Sequence, residues 1–248
     1  MSFWERYSSF KNRQARDWWT TTFGDPISWL ILAFIGDWKW ITPTGLTICS
    51  FFAKMLPAVM VLTNDRPLII AAAMILQMGQ VLDSMDGNLA RYRNKTSLYG
   101  GFLDRILDGV GFIFVSSSLA YYAYVNGAIF YYLLMGPMAA AFYLEVCYVY
   151  WSVAYEEQKH IGTGKKIRPG GNVKSLNNVP TWKYILRGQK KILLFNQADF
   201  YFWIGLGLIF EIPEFPLWLL FLVLLKKMYS RVFQRSKYLK KLERELNK

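Results

Sequence analysis

Four aspartates stand inside otherwise apolar, helix-like sequence: Asp83 and Asp86 in "VLDSMDGNLARY", then Asp104 and Asp108 in "GGFLDRILDGVG". At 3.6 residues per turn, Gly79, Asp83, Asp86, Gly87 and Ala90 share one helix face, with Arg91 at its margin. On the following helix Ser97, Gly100, Asp104, Asp108 and Gly111 form a second stripe. Facing each other, the stripes make a carboxylate cluster walled by residues with little side chain. Carboxylates that close cannot all stay ionised in a low-dielectric place without a partner. An all-oxygen ligand set favours a hard divalent cation, Mg²⁺ or Mn²⁺, with positions left for phosphate oxygens. The glycines let a ligand approach the backbone, and Arg91 adds a fork suited to phosphate. The competing explanation is that ion pairs such as Asp104–Arg105 or Asp86–Arg93 merely hold two helices together. Arg105, however, points about 100° away from Asp104 on a helix, and charges at membrane depth are functional by default. The order D-S-M-D-G also lacks the alternating oxygens of an EF-hand loop.

The elements that carry these residues are membrane helices. The chain has 248 residues and is 54% hydrophobic, and the apolar residues gather in blocks of roughly 16 to 25, the length that crosses a hydrocarbon layer. Ten tryptophans, many at block ends, suit membrane–water interfaces. The expected fold is all-α and integral to the membrane. Six transmembrane helices are expected at about 43–63, 67–91, 97–125, 128–153, 196–212 and 215–233, preceded by an interfacial amphipathic helix over "DPISWLILAFIGDW" (25–38). Three regions follow: 1–41, a basic segment and interfacial helix; 42–233, the membrane domain; and 234–248, a basic tail suited to anionic lipid. The opening residues "MSFWERYSSFKNRQARDWW" do not have the layout of a cleaved signal peptide.

The formal charge of +12 does not point to nucleic acid, because alternate connections are basic and the others are not, the positive-inside pattern. Both termini and the aspartates are therefore expected on the cytoplasmic side. Cys49 and Cys147 fall within expected spans and offer no disulfide framework. The lone histidine, His160, argues against a histidine-rich metal site or a Ser-His-Asp arrangement.

The run Asp83-x-x-Asp86-Gly87-x-x-Ala90-Arg91, eight residues, Gly100-x-x-x-Asp104-x-x-x-Asp108 resembles the signature of the CDP-alcohol phosphotransferases, with all eight signature positions present. The wider likeness takes in "ITPTGLT" (41–47), where Thr44 replaces the asparagine found in many relatives. The resemblance implies a six-helix membrane enzyme, commonly a homodimer, with its site open to the cytoplasm. It implies that Asp83, Asp86 and Asp104 ligate one or two metals, with Asp108 helping to bind metal or acting as general base. Gly87, Ala90 and Gly100 would admit the CDP moiety, and Arg91 would contact its diphosphate. An acceptor hydroxyl, deprotonated by Asp108, would then attack phosphorus and release CMP.

Within that family the donor is expected to be CDP-diacylglycerol and the acceptor an alcohol such as inositol phosphate or glycerol phosphate. A CDP-choline or CDP-ethanolamine donor with diacylglycerol as acceptor is the alternative. "FLDRILD" is closer to inositol-phosphate-type members, although Gly109 stands where those often have arginine. Nine Lys or Arg between 155 and 195 are largely what topology demands of a cytoplasmic connection; among them Arg168, Arg187 and Lys190 are the candidate acceptor contacts. Outside the family, a UbiA-like prenyltransferase would need more spans and different aspartate spacing. A cation transporter would distribute its acidic residues through the membrane rather than cluster them near one face.

Three further charges lie within the spans. Lys54 and Glu145, each roughly 13–15 Å deep, are expected to pair with each other; the other reading puts Lys54 at the phosphate cavity. Asp199 is expected at the interface. Ser116 to Ser118 and Ala120 offer a small-residue face for helix packing, with a dimer seam as one use.

Overall fold

The protein is described from a computed structural model covering residues 2–11, 13, 17–162, 176–177 and 179–246. Every regular element among the described residues is helical. A short helix α1 (Phe3–Ser9) leads to a π-helical turn, Thr20–Gly24, which runs directly into α2 (Asp25–Ile35). The long elements are α3 (Pro43–Leu62), α4 (Arg66–Tyr92), α5 (Leu98–Val125) and α6 (Tyr131–Ile161). They are followed by α7 (Thr181–Gln189), α8 (Gln197–Ile209) and α9 (Glu214–Leu246).

Helices α3 to α6 are long and apolar enough to cross a membrane, so the chain is read as a multi-pass membrane protein. With 13 residues, α8 is only about 20 Å long at 1.5 Å per residue, short of a full hydrocarbon crossing. Helix α9 continues unbroken through the boundary expected near 233 to Leu246.

Local sequence accounts for the helix starts around the aspartates. Pro43 follows the N-cap Thr42, whose hydroxyl accepts from the Gly45 N–H at 3.0 Å. Ser97 does the same for α5, accepting from Gly100 N–H at 2.9 Å. These caps fix where α3 and α5 begin, and hence the height at which Thr47 and Asp104 sit.

Large apolar side chains cover the outside of the helices as well as the core. On α3, Leu46, Thr47, Ser50, Lys54, Pro57 and Val61 turn inward, while Phe52, Leu56 and Val59 are exposed, as lipid-facing side chains should be. A Cβ on Gly79 would lie 3.3 Å from the backbone of Ala53 and from Lys54 Cγ. A bare glycine there lets α4 close on α3 beside Lys54. The small face of α5 is spent within the chain: Ser116, Ser118 and Ala120 are buried, with Gly136 of α6 against Ser116 and Ala120. It is not left free for a dimer seam.

Helix α2 has an apolar outer face of Ile27, Leu30 and Phe34, as an interfacial helix requires. Its inner face is not simply apolar, however, since Asp25 and Ser28 are wholly buried with Trp29 and Leu32, and α2 packs on α4. Asp199 likewise departs from the expected interfacial position. It is completely buried, accepting from Asn196 N–H at 2.8 Å to close a capping box and from Trp19 N–H at 2.9 Å. The N-terminal segment covers it.

Candidate active site

The α4 and α5 stripes face each other with α3 as the third wall. One carboxylate oxygen from each of Asp83, Asp104 and Asp108 lies within 4.8 Å of the other two. Asp86 stands beside this trio, its Oδ2 receiving the Thr47 hydroxyl at 2.5 Å. Ser50 Oγ donates to Asp83 Oδ1 at 3.3 Å.

Lys54 is the difference from expectation. Its ammonium sits 2.7 Å from Asp83 Oδ1 and 2.7 Å from Asp108 Oδ1, bridging the two carboxylates with its side chain only 2% exposed. Glu145 is on the exposed side of α6 instead. Equal depth in a membrane says nothing about which way two side chains point. Arg105 turns outward and lies 4.9 Å over the Trp151 ring, so it takes no part in the cluster.

Two cavities meet this group of carboxylates. The larger, about 420 Å³, is bordered by Thr47, Asp86, Gly87, Ala90, Gly100 and Asp104, with Arg91, Lys39, Arg93 and Lys95 supplying positive charge. Arg93 is committed elsewhere, donating to the carbonyls of Ile41, Gly36 and Trp38 at 2.6 to 2.9 Å. Arg91 folds back over Gly87, where a Cβ would lie 3.2 Å from both Nη1 and Nη2. The glycine makes room for the guanidinium. Arg91 Nη2 also donates to Asn88 Oδ1 at 2.8 Å.

The smaller cavity, about 210 Å³, lies beyond Asp83 and Asp108 and is bounded by Asp17, Thr20, Lys54, Gln80, Ser84, Asn196 and Gln197. Gln197 donates to the Asp108 carbonyl at 3.2 Å and accepts from Tyr143 at 2.7 Å. Gln80 is buried, and among the described residues its Nε2 has no hydrogen-bond partner, leaving a donor for a polar ligand.

Of the expected acceptor contacts, Arg168 lies outside the described residues. Arg187 and Lys190 are exposed and border neither cavity. Lys191, partly buried, has its ammonium drawn below the usual lysine range by burial, against the opposing pull of Asp17 and Asp199. Sequence reasoning missed Thr47, Ser50, Lys39 and Lys95. Thr47, Ser50 and Lys54 recur at helical spacing on one face of α3, a signal that was available; Lys39 and Lys95 are bases in the two connections flanking the larger cavity.

A family model, CDP-alcohol phosphatidyltransferase, matches residues 40–167, which includes Asp83, Asp86, Asp104 and Asp108 and the Thr47–Ser50–Lys54 face. The chain belongs to the CDP-alcohol phosphatidyltransferase family. Among curated proteins, it is 41% identical over 68 residues to the archaetidylinositol phosphate synthase of Pyrococcus horikoshii, covering 27% of this chain and 35% of that one. It is 34% identical over 98 residues to the bifunctional IPC transferase and DIPP synthase of Thermococcus kodakarensis, covering 38% and 21%. A protein of the same name from Aquifex aeolicus matches at 34% over 77 residues, 31% and 17% of the two chains. The chain thus spans about a third or less of the length of these relatives. CDP-alcohol phosphatidyltransferases generally use a divalent metal, and the Asp83–Asp104–Asp108 trio, all hard oxygen donors, could bind one.

Proposed function

We propose that the protein transfers a phosphatidyl group from CDP-diacylglycerol to an alcohol, releasing CMP. The observation that carries this reading is the Asp83–Asp104–Asp108 group standing between a large basic cavity and a smaller polar one. Such a wall suits a donor diphosphate on one side and an acceptor hydroxyl on the other. Asp83, Asp86 and Asp104 would hold Mg²⁺ or Mn²⁺, with Asp108 within reach of the same ion. A bound divalent ion would neutralise the diphosphate and polarise its phosphorus.

The protein's own residues do the rest. Gly87, Ala90 and Gly100 leave space for the CDP moiety in the larger cavity, and Arg91 holds the diphosphate through its guanidinium. The acceptor enters the smaller cavity, where Gln80, Ser84 and Gln197 offer hydrogen bonds to a polyol. Asp108 takes the acceptor's hydroxyl proton. The oxygen forms a bond to the phosphorus that carries the diacylglycerol, the bond from that phosphorus to the CMP oxygen breaks, and CMP departs with the electron pair. Positioning and charge neutralisation carry most of the rate.

The names of the curated relatives support an inositol-phosphate-type acceptor. Six spans would require α9 and the short α8 to cross as well, the bilayer thinning locally around α8; that topology would keep both termini and the basic connections on the cytoplasmic side. A homodimer is the expected assembly.

The test is CMP release by purified protein with CDP-diacylglycerol, in Mg²⁺ or Mn²⁺, across inositol phosphate, glycerol phosphate and free inositol. CDP-choline and CDP-ethanolamine with diacylglycerol form the comparison arm. Release with a phosphorylated polyol is the expected result; no CMP from any CDP-linked donor would reject the proposal.

A further inference from the structure

Asn88 occupies one of the variable positions inside the Asp-Gly-x-x-Ala-Arg run, yet it is almost wholly buried, 1% exposed. Its Nδ2 donates to two acceptors on α2, Asp25 Oδ1 at 3.1 Å and Ser28 Oγ at 2.7 Å. The Ser28 hydroxyl hydrogen is already directed to the Asp25 carbonyl at 2.9 Å, so Ser28 meets Asn88 as an acceptor. Asp25 is itself fully buried, and its other oxygen receives the Tyr184 hydroxyl of α7 at 2.6 Å. With both α2 partners accepting, the amide can have only one orientation. Its nitrogen faces α2 and its oxygen faces Arg91, which donates to it at 2.8 Å. Turning the amide over would set N–H against N–H at Arg91 and oxygen against carboxylate at Asp25.

We propose that Asn88 is a positioning residue for the donor diphosphate, aiming Arg91 into the larger cavity through a buried relay that runs Tyr184–Asp25–Asn88–Arg91. This rests on the reading of Arg91 as the diphosphate contact. A neutral amide is the suitable group at this point. It fixes the guanidinium by one directed bond without taking its charge, whereas a carboxylate there would pair with the arginine the diphosphate needs. Gly87 completes the arrangement by leaving the space into which the guanidinium folds. The relay also explains why α2 carries a buried aspartate and serine on a face that a membrane-surface helix could have filled with leucine. Its anchor at the far end is Tyr184, 1% exposed, on an otherwise largely exposed helix.

The experiment compares wild type with Asn88→Ala, Arg91→Ala, the double variant and Tyr184→Phe in detergent. It measures CDP affinity by calorimetry, donor and acceptor KM, kcat, and thermal unfolding. Losing a hydrogen bond to a charged group should weaken CDP binding and raise donor KM by about tenfold in Asn88→Ala, with acceptor KM unchanged. Tyr184→Phe, which keeps the ring and so the packing, should raise donor KM by about threefold in the same direction. The double variant should be no worse than Arg91→Ala alone, because Asn88 acts through that arginine. Effects that add in full, or an acceptor KM that rises as much as the donor KM, overturn the proposal. If Asn88→Ala does not fold, an unchanged donor KM in Tyr184→Phe overturns it. Wild-type turnover together with an unaffected Asn88→Ala rejects the relay alone. A wild type that neither binds CDP nor releases CMP rejects the functional reading, and the relay falls with it.

Discussion

Replacing Lys54 with methionine tests how the acidic cluster is held when no divalent cation is bound. Methionine keeps the length and apolar stem and removes only the charge. In the native site the ammonium lies 2.7 Å from Asp83 Oδ1 and 2.7 Å from Asp108 Oδ1, with 2% of the lysine side chain exposed. Removing one partner of a buried ion pair costs about 3–5 kcal/mol, because the remaining charge is left without compensation. Here the carboxylates are 33% and 21% exposed, so water screens them and a figure below that range, about 2–3 kcal/mol, is the better one. At about 2–4 °C per kcal/mol for a chain of this size, the variant should unfold roughly 5–10 °C below wild type in EDTA. A divalent ion at a hundred times its Kd contributes about 2.7 kcal/mol, enough to close the gap. The wild type should gain less from the same ion, since the ion must share Asp83 and Asp108 with Lys54. The assay is thermal unfolding of detergent-solubilised protein in EDTA and across a Mn²⁺ titration. Equal melting of the two proteins in EDTA, or equal stabilisation by Mn²⁺, would refute the reasoning.

Asp108→Asn should lower CMP release by roughly 10²–10⁴-fold while leaving CDP binding in place; turnover at the wild-type rate would remove Asp108 from the role of base. Gly87→Ala should raise donor KM with little change in unfolding temperature, because the added Cβ, 3.2 Å from both terminal nitrogens of Arg91, displaces the guanidinium. Unaltered donor kinetics would show that the arginine has room to spare. Asp199→Ala should destabilise the protein by about 1–3 kcal/mol through loss of the α8 cap and the bond to Trp19, with donor KM unaffected in the protein that remains folded. A change in donor KM would tie the N-terminal segment to the donor cavity.

The aspartates were legible because their spacing leaves no freedom. On a helix, Asp83 with Asp86 and Asp104 with Asp108 each share a face, and a short connection folds one face onto the other. Lys54 was legible as a charge at membrane depth but not in its partner. Its register with Thr47 and Ser50 puts it on the inward face of α3, while Glu145 lies on the exposed side of α6. Depth along the membrane normal fixes one coordinate and leaves the azimuth open. Asp25 and Asp199 show a different limit. Each flanks an apolar helix and reads as interfacial, yet each is sealed by a segment far away in sequence: Asp25 by Tyr184 of α7, Asp199 by Trp19. Local pattern carries no trace of such contacts, since nothing in the periodicity of α2 or α8 encodes what will cover it. The signature's variable positions hide Asn88 for the same reason.

The charges around the site give Lys54 a place there and, on the proposed function, would give a divalent cation one too. Asp83, Asp86, Asp104 and Asp108 are opposed within the cluster and on its rim by Lys54 and Arg91, which formally leaves two negative charges in excess. A group of that sign in a low-dielectric setting repels an anionic diphosphate rather than attracting it. Lys39 and Lys95, at the mouth of the larger cavity, can draw a nucleotide in but are exposed to water, so their pull is screened. On the proposed function, one divalent ion among the carboxylates would cancel that excess, so that the donor diphosphate meets Arg91 and the ion together. Lys54 does part of the same work in the absence of metal, holding Asp83 and Asp108 together against their repulsion. On the proposed function, the cluster is held together by one cation of its own and would be made receptive to an anionic donor by a second, bound one.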